Sequence, residues 1–465
     1  MKILLILPDE ISSKLLRPLR IFNGGGILPP LGLLYIASSL KKYGYDVKIL
    51  DMRLENFDKI ITKILKFNPD FIGISLTIFT LKQGVRIAKI CKEILPNCKI
   101  IIGGSLVTLY PKELLYHYKC FDIGFIGEAE STLPKFLDRN TTCGIAIRKN
   151  KKIIVNGACQ IIKDLDSLPF PDRKLIANEK YFYTASKRYP VTSAISSRGC
   201  PFSCKFCGKT PVILHTRFRS PNNVVREMEE CYNMGFKEVV FYDDIFTLNK
   251  KRVLKMCNLL KKLKLDLVWS IRSRIDTINK ELLKKMRKAG CIRIFYGIES
   301  GSNYILKLMD KKTNVKMAER IVRLTKRVGM DVVASFIIGY PDEDIETVKA
   351  TIKFAIKLKP DFVIFNPFIF LPNSPIYLEF LKNGMDDFYL NFVKNLKFNI
   401  PNLQIGNFQY DTELKQLVSQ AYKKFYLNHK VMINVFKKTN RKHFLKLLYA
   451  GGLFTLYNTI FNGKL

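Results

Sequence analysis

A chain of 465 residues is too long for one ordinary hydrophobic core, and a composition that is 48% hydrophobic and 12% aromatic excludes disorder. The formal net charge of +37 leaves two readings, an anionic partner or heavy use of lysine throughout. The lysines are spread in pairs such as Lys41-Lys42, Lys151-Lys152 and Lys284-Lys285 with few interleaved aromatics, so nucleic acid is not an expected partner.

The opening "MKILLILPDE" is apolar for too few residues to be a signal peptide and reads as a buried first strand. A cytoplasmic location follows as the expectation. The eleven cysteines are then expected as thiols or metal ligands, not disulfides, and solitary ones such as Cys91 and Cys98 as small core residues.

Residues 1–140 alternate strands and helices. Nearly continuous apolar runs at 2–7, 46–50, 70–75, 99–104 and 122–127 predict parallel strands covered on both faces. Helical spacing at 31–44 and 81–95 falls between them, with Gly44 as a stop signal. This predicts a doubly wound, Rossmann-like (flavodoxin-like) α/β domain, with ligands at the carboxyl ends of its strands. Residues 141–185 read as a connector, with a small hairpin in "CGIAIRKNKKIIVNG" and an extended, proline-punctuated stretch at 165–176.

A second alternating series fills 186–385. Its strands are predicted at 192–197, 238–244, 266–272, 293–300, 331–340 and 361–368. Six units are fewer than a full barrel's eight, so the expected form is a partial (β/α)6 TIM-type barrel with its chemistry at the strand ends. Those ends carry Cys200 to Cys207, Asp243-Asp244, Arg272, Glu299-Ser300 and Tyr340-Pro341. Residues 386–465 read as a small helical region. Its last stretch, 437–461, is basic and then apolar, but Lys446 and Gly451-Gly452 interrupt any membrane-spanning run. It reads as a docking helix, or as one lying on an anionic membrane surface.

The densest chemistry is "SSRGCPFSCKFCGK" at 196–209, which sets Cys200, Cys204 and Cys207 in a C-x3-C-x2-C pattern. A structural zinc site normally closes with four ligands, and His215 is the nearby extra donor for that alternative. Three thiolates that stop at three suit an iron–sulfur cluster with one iron left open. Phe206 would shield one side. The pattern, with an aromatic before the third cysteine and directly after a first barrel strand, resembles the radical S-adenosylmethionine superfamily.

That resemblance implies a four-iron, four-sulfur (4Fe-4S) cluster on Cys200, Cys204 and Cys207, with S-adenosylmethionine on the open iron. Reductive cleavage would release a 5′-deoxyadenosyl radical that abstracts hydrogen, with an electron donor such as ferredoxin or flavodoxin. It also implies that Asp243 and Asp244 meet the methionine ammonium and that Glu299 and Ser300 meet its ribose or methionine part. The segment around Gly339 would lie near the adenine. Arg272 is expected to pair with the methionine carboxylate, because guanidinium matches carboxylate bidentately.

The first domain resembles the cobalamin-binding domain of one radical S-adenosylmethionine class, through residues 24–51, "PDFIGISLT", "IIGGSLVT" and "GFIGEAEST". Ser75, Thr77, Gly103 and Gly104 would cradle the cobalamin nucleotide tail. The D-x-H-x-x-G signature of a cobalt-binding histidine is absent, and none of His117, His215, His429 and His443 fits it. Cobalamin would be held without a protein histidine, or the domain has kept the fold and lost the cofactor. Weaker likenesses at "LPFPDRKL" and "YKKFYLNHK" extend to the branch of the anaerobic magnesium-protoporphyrin cyclase and hopanoid methylases.

The expected function is cobalamin-dependent methylation of an unactivated carbon on a small-molecule or lipid-like substrate. Radical-driven cyclisation or rearrangement without methyl transfer uses the same parts. Sulfur insertion into transfer RNA lacks its usual further cysteines here. A cobalamin- or cluster-dependent sensor would not need so many acids at strand ends.

Overall fold

The computed structural model describes residues 1–10, 26–55, 57–138, 142–149, 152–157, 161–183, 185–210, 214–396, 413–428 and 431, with backbone alone at 404–405 and 408–409. The stretch 437–461, His429 and His443 lie outside them.

Seventeen strands matter here. They are β1 (Lys2–Leu7), β2 (Gly26–Ile27), β3 (Asp46–Asp51), β4 (Phe71–Ser75), β5 (Lys99–Gly103), β6 (Ile123–Phe125), β7 (Ile145–Lys149), β8 (Lys152–Val155), β9 (Phe182–Tyr183), β10 (Val191–Ala194), β11 (Ser197–Arg198), β12 (Arg217–Phe218), β13 (Glu238–Phe241), β14 (Val268–Ser273), β15 (Cys291–Glu299), β16 (Asp331–Ile338) and β17 (Phe362–Pro367).

The first sheet runs β3-β1-β4-β5-β6-β7-β8. Its first five strands are parallel, in the order of flavodoxin-like folds. Ile3, Leu5, Ile101 and Ile123 fill one face; Leu4, Ile6, Ile72 and Ile102 fill the other. Two buried faces explain why these strands read as unbroken apolar runs. The hairpin expected in the connector forms as β7–β8, but it pairs antiparallel with β6 and extends this sheet. The chain order reverses between β1 and β4, so the crevice for a ligand opens beside Ser75.

The second sheet runs β10-β13-β14-β15-β16-β17, parallel throughout and in sequence order. Alternate residues such as Trp269, Ile271, Ile294, Tyr296 and Phe336 pack outward against the helices. A six-stranded half-barrel leaves two open edges, and bare edge amides are a liability. The helix Glu413–Tyr426 covers one of them. Tyr422 and Tyr426, one turn apart, turn their hydroxyls onto the backbone N–H groups of Phe365 and Val363, at 3.1 Å each. The connector seals the other edge. Arg173, from the extended stretch, is buried and reaches Thr192 and the Ser193 carbonyl of β10. Its charge meets Glu227 at 2.5 Å, and Glu227 also pairs with Arg219.

Cys91, Cys98, Cys231, Cys257 and Cys291 are buried free thiols, as expected of core cysteines. Cys143 departs from the expectation of thiols, being disulfide-bonded. Among the described residues, no helix is long and apolar enough to cross a membrane.

Candidate functional site

The cysteine loop leaves β10 at the carboxyl mouth of the half-barrel. Asp243, at the end of β13, fixes its departure. Its carboxylate accepts from the Ser196 backbone N–H at 2.7 Å and from the hydroxyls of Ser196 and Ser197. Arg252 closes the other side, as ion partner of Asp243 and donor to the Ser196 carbonyl. Burial raises the Asp243 pKa, and Arg252 and the serines oppose that shift. Both Asp243 oxygens are engaged inside the protein, while Asp244 points outward and uses one oxygen to accept from the Gly199 N–H at 3.1 Å.

The loop is then clasped on three sides. Lys209 donates to the carbonyls of Cys200 and Phe202. The Lys205 N–H donates to the Met309 carbonyl, and the Lys205 carbonyl accepts from Ile376 N–H. Gly208 follows the third cysteine because a Cβ there would fall 2.6 Å from Leu371 Cβ and 2.7 Å from the Pro372 oxygen. Cys204 is buried, and Cys200 and Cys207 are half-buried. Burial raises the pKa of Cys200 and pushes that of Cys207 up to about 11, and the neighbouring thiols add to both shifts. A thiolate ligand set here needs the positive charge of a metal centre. His215 is exposed, and among the described residues no three His, Cys, Asp or Glu side chains close around one ion.

The other strand ends ring this loop. Glu299 sits at a bulge between β15 and β16 with a positive φ of 73°, and its carboxylate meets the buried Lys311 ammonium at 2.7 Å. Gly297 makes room for it, since a Cβ there would lie 2.3 Å from Glu299 Oε1. Lys311 in turn lies 5.6 Å from the centre of the half-buried Phe206 ring. Ser300 is turned away from the mouth and shares a hydrogen bond with Thr351 at 3.1 Å. Arg272 is stacked 3.9 Å from the Tyr242 centroid and 5.1 Å from that of Phe295.

Gly339, at φ 83°, donates its N–H to Glu343 at 2.6 Å, and Tyr340 donates to the same oxygen. Glu343 is fully buried and its second oxygen is unpartnered, so burial lifts its pKa to about 7 against the pull of those two N–H bonds. A carboxyl with its pKa raised on folding favours the folded state at low pH; that contribution is lost as pH rises from about 4.5 to about 7. Urea titrations of wild type and Glu343→Gln should therefore diverge between pH 5 and 8. The wild type should lose about 3 kcal/mol more over that range, the free energy of roughly two pH units.

In the first sheet, Ser75 and Gly103 are register partners at the carboxyl edge, with Thr77 and Gly104 just beyond, all half-buried. Gly104 has φ 104°, and a Cβ there would lie 2.6 Å from the Leu76 oxygen, so the backbone turn must be bare. Thr80 accepts from the Thr77 N–H at 2.8 Å and holds the neighbouring turn. His117 is exposed at the end of the helix Pro111–His117.

Sequence reasoning missed the residues that join the two sheets. Arg198, just before the cysteine loop, donates to Glu128 at 2.7 Å and Glu130 at 2.6 Å, and Arg217 donates to Glu128 at 2.6 Å. Burial would raise the Glu128 pKa, but Arg217, Arg198 and the Ile162 N–H together lower it. Arg274 and Lys311 were missed as well. Arg274 had a signal, since it directly follows the strand β14 that carries Arg272. Lys311 had none.

Residues 194–355 match the radical SAM superfamily model, and residues 19–137 match the B12-binding domain model. An uncharacterized methyltransferase of Pyrococcus horikoshii is 34% identical over 446 residues, covering 93% of this chain and 94% of that protein. The anaerobic magnesium-protoporphyrin IX monomethyl ester cyclase of Rubrivivax gelatinosus is 29% identical, over 91% of this chain and 79% of its own. Among solved structures, the cobalamin-dependent S-adenosylmethionine radical enzyme OxsB aligns at a TM-score of 0.69 and 18% identity, covering 98% of this chain and 73% of that one. Superfamily and domain bring their cofactors with them, a 4Fe-4S cluster and S-adenosylmethionine from the barrel and cobalamin from the first sheet. With the cysteine loop at the barrel mouth, the chain belongs to the radical S-adenosylmethionine enzymes that carry a B12-binding domain.

Proposed function

We propose that this enzyme methylates an unactivated carbon of a small molecule, with Cys200, Cys204 and Cys207 holding the cluster. One observation carries the reading: three free thiols on a single clasped loop face a ring of polar strand ends on one side of a half-barrel. When bound, the cluster and S-adenosylmethionine supply a hydrogen-abstracting 5′-deoxyadenosyl radical, and cobalamin supplies a methyl group.

The chain's own residues position these groups and exclude water. Asp244 keeps one carboxylate oxygen for the methionine ammonium while the other holds the loop. Glu299, fixed by Lys311, presents its remaining acceptor capacity to the ribose or methionine part. The segment around Gly339, held by Glu343 and packed by Leu414, would lie near the adenine, and Phe206 would shield the cluster. Arg272, already oriented by its two aromatic neighbours, pairs with a carboxylate. Asp243 and Ser300 support the site from behind. Ser75, Thr77, Gly103 and Gly104 form the cobalamin ledge.

A second reading, oxidative ring closure without methyl transfer, is favoured by the 29% identity to a cyclase. A low-potential donor such as ferredoxin or flavodoxin would supply electrons. Lipid-like or anionic substrates suit the basic charge of +37, and the protein would work in the cytoplasm, touching a membrane through its last residues.

The test is anaerobic reconstitution with iron, sulfide and cobalamin, followed by incubation with methyl-labelled S-adenosylmethionine and a small-molecule and lipid extract. Methylation predicts 5′-deoxyadenosine together with label in an extracted compound. Deoxyadenosine with an unlabelled product lighter by two hydrogens would replace methylation with cyclisation. No deoxyadenosine under strong reduction would overturn both.

A further inference from the structure

We propose that Arg274 sets the reduction potential of the cluster through an N–H bond to the Cys204 sulfur, an inference that rests on the cluster assignment above. The guanidinium is buried, with 5% of its residue exposed. Its Nη1 lies 3.4 Å from Cys204 Sγ. The rest of the fork is already committed. Nε and Nη2 grip the Asp276 carboxylate at 3.0 and 2.7 Å, and Nη2 also donates to the Lys311 carbonyl. The face of the group is stacked 3.8 Å from the centre of the Phe202 ring, which belongs to the cysteine loop itself. With four anchors occupied, Nη1 is left aimed at the one fully buried thiol of the three.

The consequence follows from charge. A donor N–H and a nearby cation stabilise a thiolate-bound centre more when it carries an extra electron, so they favour the reduced form. Burial strengthens the effect by removing screening water. Asp276 offsets part of the charge but fixes the direction of Nη1, which is what the hydrogen bond needs. One electron from a low-potential donor enters the cluster with no bond made or broken at Arg274. The residue acts through Cys204 and is a positioning residue. A lysine cannot replace it, because a single ammonium cannot grip Asp276, meet the Lys311 carbonyl and reach the sulfur together.

Arg274→Gln and Arg274→Lys, reconstituted anaerobically, are first assayed for iron and sulfide. Wild type without a four-iron cluster would overturn the assignment of the cysteines, separately from the role of Arg274. Titration followed by electron paramagnetic resonance then reads the potential. The expected result is about tenfold less reduced cluster in Arg274→Gln at a fixed solution poise, which for one electron is about 59 mV. Arg274→Lys should fall between it and wild type. Unchanged potentials in both variants overturn the proposal. Wild type grown on 15N-arginine gives a reading independent of any variant's folding. A weak 15N coupling to the reduced cluster is expected in pulsed spectra, and its absence also overturns the proposal.

Discussion

Cys204→Ala is expected to fold normally yet to hold no 4Fe-4S cluster and to release no 5′-deoxyadenosine above background. The loop that carries Cys204 is clasped by backbone groups of Met309 and Ile376, by the Asp244 carboxylate on the Gly199 N–H and by the Lys209 ammonium, none of which needs the Cys204 thiol. The fold should therefore survive, with a cost near that of a small buried truncation. The chemistry should not. Two thiolates leave two irons of the cluster without protein ligands, and the loss should exceed the roughly 10–100-fold that follows removal of a residue merely supporting a ligand. Cys231→Ala is the control. Cys231 is fully buried in the core on the helix Pro221–Asn233, with its thiol pushed up to about 12 by burial, and its loss should leave iron content intact. Iron per chain and deoxyadenosine per hour decide the matter. Four irons and full turnover in Cys204→Ala would sink the assignment.

Glu227→Ala should be the most destabilising single change in the barrel, by about 3–5 kcal/mol in urea denaturation. Glu227 is the anion between two buried cations, Arg173 from the connector and Arg219 just past the strand β12 that follows the cysteine loop. Both arginines also hold the first barrel segment, Arg173 through the Ser193 carbonyl and Arg219 through the Ile195 carbonyl. Removing the carboxylate leaves two guanidinium charges facing each other out of water, and each must lose its backbone anchor to escape. Replacing Arg173 by Met should cost less, because Glu227 keeps Arg219. A loss below about 1 kcal/mol in Glu227→Ala would show the triad to be dispensable, at the level of an exposed surface pair.

The Glu227 triad also shows where sequence reading stops. Arg173 lies 54 positions before Glu227, in a stretch that reads only as extended and proline-rich. Nothing in local spacing says that it threads into the first barrel strand. The same holds for Lys311, which comes from a short turn and meets Glu299 only because the bulge in β15 folds that carboxylate inward. Asp243 and Asp244 look alike as neighbours in "FYDDIFT". The turn beyond β13 separates them, sending one into the Ser196–Arg252 network and leaving the other at the loop. Ser300 is diverted in the same way, to Thr351.

What the sequence alone determined is what local rules control. Apolar runs marked the parallel strands because both faces of each sheet are covered. Six strand–helix units marked a half-barrel because their count falls short of closure. Three cysteines in one loop stood out because their spacing within a loop is set by a few covalent bonds, and the proposed cluster site rests on them. Only the tertiary structure decided which strand-end groups are free to meet a ligand and which are spent on one another. That choice depends on charges brought together from distant segments, where desolvation favours the pairing of buried ions.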